Sequence, residues 1–117
     1  MSLDLTLTEK TDVCPHCGRG EEVWSENFNI THNLTDMAEA AGIYKVLWRP
    51  EEVGVRKASD ITGQLQVGIE LMEGDPDGYK LFNATNGWGL YKHFLPWVKR
   101  VCAACVNHPD ATVEVSR

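Results

Sequence analysis

No stretch of this 117-residue chain comes near the ~20 consecutive apolar residues that a membrane span requires. Met1 to Thr11 has neither the basic start nor the apolar core of a secretion signal, so a cytoplasmic location is expected. Internal repeats, low-complexity tracts and linkers are missing too, which points to a single domain over residues 1–117. Positive charge is scarce. Lys and Arg number 11 against 17 Asp and Glu, giving a net charge of −6 and a pI near 5.1. That balance argues against direct DNA binding. Several catalytic signatures are absent: the P-loop and Gly-x-Gly-x-x-Gly turn, the Gly-x-Ser-x-Gly elbow, the His-Glu-x-x-His pair and the deaminase set of His-x-Glu with Pro-Cys-x-x-Cys. These absences favour a binding protein over an enzyme.

What is present supports a folded domain. Hydrophobic residues make up 43% of the chain, too many for a disordered one, and a domain of this size buries roughly two-thirds of its unfolded surface. Leu3, Leu5 and Leu7 alternate with polar residues, as in a short strand or a loose leader. Val23 to Thr31 is extended in character, with Trp24, Phe28 and Ile30 on one side. Asp36 and Glu39 have capping-box spacing, and Met37, Ala41, Tyr44 and Trp48 then form one helical stripe. Gly42 weakens that helix by about 1 kcal/mol, and Pro50 ends it. Ile61, Leu65, Ile69 and Met72 form a second stripe, closed by the turn 73–78. Tyr79 to Phe82 reads as a short strand. Leu90, Phe94, Val98, Val101 and Cys105 form the cleanest stripe, with Pro96 either kinking the helix or marking its first turn. Ala111 to Ser116 alternates as a closing strand. The expected fold is α+β: a small sheet of terminal strands packed on about three helices. Residues 1–22 form an N-terminal arm and 23–117 the core.

The four cysteines fall in two C-x-x-C pairs, Cys14/Cys17 and Cys102/Cys105. C-x-x-C is the usual half-site of structural zinc. Cys14-Pro-His-Cys17-Gly18 has the form of a zinc knuckle, and Cys102 and Cys105 share one helical face. A Zn²⁺ ion on all four would staple the arm to the last helix, with His16 and His108 as substitute ligands. Two other readings compete: a thioredoxin-like redox pair, and Cys102 and Cys105 as small buried residues.

Four polar clusters stand out. Thr31, His32 and Asn33 lie where a strand feeds a helix, a place suited to anions; otherwise Asn33 and Thr35 are capping residues and His32 is an ordinary loop residue. Arg49 beside Trp48 suits a planar, charged ligand, or pairs with Glu51 or Glu52. Asn86 and Trp88, in Asn86-Gly87-Trp88-Gly89 before Tyr91, permit close backbone approach, or anchor a loop. Arg117 reaches His32 if the closing strand runs parallel to Val23–Thr31.

Together, the segments 29–34 (NITHNL), 48–51 (WRPE), 86–89 (NGWG), 107–111 (NHPDA) and 116–117 (SR) resemble those of a family of small proteins encoded by phages, prophages and mobile elements. The resemblance spans roughly residues 25–117 and leaves out the Cys14–Cys17 segment. It implies a phage or mobile-element origin and a bacterial host cytoplasm, and it assigns no activity. The residues themselves suit a nucleotide-like or other small anionic ligand, held by Thr31, His32, Asn33, Arg49, Asn86, Trp88, Tyr91 and Arg117. Sequestration of a nucleotide signal is the most specific form of this reading. The alternatives are a small hydrolase or transferase using His32 as general acid/base, and an adaptor that binds a host protein through exposed tryptophans. A site shared between like chains is compatible with all three.

Overall fold

A computed structural model describes residues 2–10, 22–83, 87 and 89–117. The elements among them are strands β1 (Ser2–Lys10), β2 (Glu22–Thr31) and β3 (Thr112–Ser116), and helices α1 (Thr35–Ala40), α2 (Tyr44–Trp48), α3 (Thr62–Gly74), α4 (Pro76–Lys80) and α5 (Tyr91–Asn107). Single 3₁₀ turns cover His32–Leu34, Pro50–Val53 and Ala58–Asp60.

The fold is α+β, with an antiparallel sheet of order β2-β1-β3. The period-two pattern at the start of the chain is therefore neither leader nor arm; it is the middle strand. Leu5 lies opposite Phe28 on one side and Val115 on the other, and Leu7 opposite Val113. Leu3, Leu5 and Leu7 are fully buried under the helices. The opposite face is polar: Asn27 donates to Thr6 Oγ1 at 3.0 Å, and Asn29 to Ser2 Oγ and Asp4 Oδ1 at 3.0 Å each. The strands at 22–31 and 112–116 were expected to pair with each other. Instead both pair antiparallel with β1, so they run in the same direction without touching as a ladder.

The helical stripe through Met37, Ala41, Tyr44 and Trp48 is broken into two short helices. Gly42 takes a left-handed conformation (φ +74°), ending α1 and letting Ile43 enter the core fully buried. No side-chain cap forms at α1, because it continues from the preceding 3₁₀ turn and leaves Asp36 inside its first turn, where the dipole favours it. The Asp36–Glu39 box is thus not used. α3 crosses the 41–43 segment closely: a Cβ at Gly68 would lie 2.5 Å from Ile43 Cγ2. Residues 76–80 are helical rather than extended, with Asp75 Oδ1 accepting from Gly78 N at 3.2 Å. Pro96 sits inside α5, exposed to solvent, five residues beyond its start. There the missing N–H costs one bond near the helix start. Phe94, Trp97, Val98, Val101 and Cys105 carry the buried face of α5.

Candidate functional site

The turn after β2 is built by Thr31, whose backbone is extended and whose Oγ1 accepts from Asn33 N at 3.3 Å. Thr31 thus supplies a cap where Asn33 and Thr35 are the expected capping residues. It sets His32 beside Trp48, and the indole Nε1–H donates to His32 Nδ1 at 2.9 Å. That bond assigns the ring proton of neutral His32 to Nε2. The other ring nitrogen of His32 then carries an N–H, not a lone pair. It is arranged as a donor, and the partner on its other nitrogen is an indole rather than the carboxylate a general base uses.

Trp48 is the hub. Its ring is almost wholly buried, stacked on Tyr44 (centroids 5.8 Å) and tilted against Phe94 (6.4 Å). Its backbone carbonyl accepts from Arg117 Nη1 at 2.7 Å, and the same nitrogen donates to Glu51 Oε1 at 2.6 Å. The Glu51 carboxyl is held below the usual carboxylate range, first by its own backbone N–H and then by Arg117. Arg49 lies on the neighbouring side, donating to Tyr44 Oη at 3.2 Å and to Glu52 Oε2 at 3.3 Å. Gly89 also reaches this place. Gly89 (φ +120°) is so close that a Cβ there would lie 2.9 Å from Asn33 Cβ.

Three of the sequence clusters therefore meet, Thr31–His32–Asn33, Trp48–Arg49–Glu51 and Arg117, and Gly89 packs against the first. Asn86 and Trp88 themselves lie outside the described residues. Tyr91 is not brought to His32. Its buried hydroxyl donates to Met72 O at 2.8 Å, tying α5 to α3, and burial raises its phenol above the ordinary range. The cap at this helix start comes from Asn83 Oδ1, which accepts from Tyr91 N at 2.7 Å. A groove of about 430 Å³ opens beside the cluster, with Pro50, Glu51, Val55, Val115 and Arg117 in its walls.

Cys14, Cys17 and His16 lie outside the described residues. Cys102 and Cys105 share the inner face of α5, and Cys105 is fully buried. Burial, then the neighbouring Cys102, pushes its thiol up to about 12. Among the described residues no group of three or more His, Cys, Asp and Glu side chains is arranged to hold a metal.

A second polar cluster joins His108, expected as a substitute zinc ligand, to Glu9, which has no local signal in the sequence. His108 Nδ1 lies 2.8 Å from Glu9 Oε2, and its ring stacks on Trp24 at 3.7 Å between centroids. Glu9 and His108 are brought together from opposite ends of the fold, by β1 and the α5–β3 turn. No family model, curated protein or solved structure matches this chain. None of the described helices is long and apolar enough to cross a membrane.

Proposed function

We propose that the chain is a non-catalytic binding protein of phage or mobile-element origin that takes a small anionic, nucleotide-like ligand at the Trp48 cluster. The observation that carries this reading is the joint hold of Trp48 on two donors, His32 through its indole N–H and Arg117 through its carbonyl. Arg117 already holds an oxyanion, the half-exposed Glu51 carboxylate, which a ligand phosphate can replace. His32 Nε2–H supplies a second donor, and charge-assisted bonds of this kind are the strong ones. The resemblance of segments 29–34, 48–51, 86–89, 107–111 and 116–117 to those of phage-encoded proteins supports the origin. The same reading includes a structural Zn²⁺ on Cys14, Cys17, Cys102 and Cys105, supported by the two C-x-x-C spacings.

Isothermal titration with nucleoside 5′-monophosphates, against the corresponding nucleosides, tests the ligand class. Saturable binding is expected for the phosphate-bearing compounds alone. His32→Ala and Arg117→Ala should each weaken it by about tenfold, the ~1.4 kcal/mol of one charge-assisted bond. Equal heats for nucleoside and nucleotide, or none for either, overturn the proposal. Native mass spectrometry should show one zinc per chain, lost in a Cys14→Ser, Cys17→Ser variant; a metal-free wild-type chain removes the zinc.

A further inference from the structure

The outer edge of β3 is half covered by the chain itself. Lys57 bridges to Thr112, Ala58 N donates to Ala111 O at 2.8 Å, and Val113 N to Arg56 O at 2.9 Å. This is the beginning of a fourth antiparallel strand, and it stops abruptly. Arg56 N, which would continue the ladder to Val113 O, donates instead to Asp60 Oδ2 at 3.0 Å. Val55 N turns back to Pro50 O at 3.0 Å, and Gly54 takes φ +74°. The chain is thereby peeled away from β3, and the groove of about 430 Å³ lies where a strand would have continued.

In an antiparallel ladder the backbone groups of alternate residues point to opposite neighbours. Val113 N faces outward to Arg56, so Val115, two residues on and opposite Leu5, faces outward as well. Val113 O, Val115 N and Val115 O have no hydrogen-bond partner among the described residues. The groove walls fit what a strand would bring. Val115 is only partly buried and lines the groove with Val55 and Pro50, so a residue paired with Val115 would set an apolar side chain on them. Its neighbours would lie beside Glu114, which is exposed and has no ion-pair partner among the described residues.

We propose that this edge is a strand-addition site for an extended segment of a partner protein, an apolar residue flanked by Lys or Arg, pairing antiparallel with Val115. Main-chain bonds to Val115 supply the affinity, the apolar seat and Glu114 the selectivity, and the −6 net charge of the chain steers a basic partner toward it. The site shares its groove with Arg117 and Glu51 of the proposed anion site but not with His32.

The probe is an acetylated, amidated Lys-Val-Lys-Val-Lys peptide added to the full ¹⁵N-labelled chain. Val115 amide exchange should slow at least tenfold at saturation. Glu114→Lys should weaken binding at least tenfold. Val115→Pro should abolish it while the sheet survives, because that proline removes only the outward N–H of an edge strand. His32→Ala should bind the peptide as the parent chain does. The proposal fails if Val115 exchange does not respond, if Glu-Val-Glu-Val-Glu binds equally well, or if a folded Val115→Pro chain still binds. If that variant does not fold, Glu114→Lys decides alone. Val115 protection that rises with protein concentration in the absence of peptide would identify a second copy as the occupant and also overturn it.

Discussion

Trp48→Ala is expected to lower the free energy of unfolding by about 3–5 kcal/mol, the range for removing a large buried aromatic side chain. The indole is 1% exposed and stacks against Tyr44 and Phe94, so truncation opens a cavity at the meeting point of α2 and α5. Trp48→Phe separates the two roles of the ring. It keeps most of the apolar volume but removes the Nε1–H that His32 Nδ1 accepts from at 2.9 Å. A partly buried acceptor left unpaired costs about 1–3 kcal/mol. Urea denaturation gives both values. In Trp48→Phe the His32 ring is free to carry its proton on Nδ1, so its two ring-nitrogen NMR shifts should move toward each other. If Trp48→Ala unfolds at the parent midpoint, Trp48 is not the hub described above.

Leu5→Ala is expected to cost about 2–5 kcal/mol, as for other fully buried leucines. Leu5 is completely buried and cross-strand to both Phe28 and Val115, so one truncation loosens both halves of the sheet. Thr6→Ala, one residue away on the polar face, loses only the exposed 3.0 Å bond from Asn27 and should stay within about 1 kcal/mol of the parent. Removing residues 1–8 should abolish cooperative melting, because β2 and β3 then share no partner. A truncated chain that still melts in one sharp transition would show that β1 is dispensable.

Much of the fold is legible because burial writes itself as periodicity. Leu3, Leu5 and Leu7 mark one face of a strand, and Phe94, Val98, Val101 and Cys105 one face of a helix. What periodicity does not carry is adjacency. β1 looked peripheral because its position in the sheet depends on pairing with residues more than a hundred positions away. The helix stripe placed Met37 and Trp48 correctly in the core but concealed the break at Gly42, because the left-handed residue and buried Ile43 restore the phase on its far side. The site shows the same division. His32, Arg49 and Arg117 were recognisable as polar residues near element ends. Their gathering around Trp48 depends on contacts across 16 and 69 residues. Tyr91 has the same local appearance, yet its hydroxyl is spent on Met72 O. The pairing of Glu9 with His108, 99 residues away, has no local pattern at all.

The central place of β1 also has a consequence for synthesis on the ribosome. β1 is made before β2, and its second partner, residues 112–116, is made about a hundred residues later. Until then only the β1–β2 ladder can form, and a two-stranded ribbon is at best marginally stable in water. A nascent chain halted between residues 31 and 91 carries Leu3, Leu5 and Leu7 on a strand with one open edge, without the cover of α5. That intermediate presents the features that drive misassociation, uncovered apolar surface and an unpaired backbone. Slow elongation through this stretch is therefore where the polypeptide is most exposed to aggregation and to capture by chaperones.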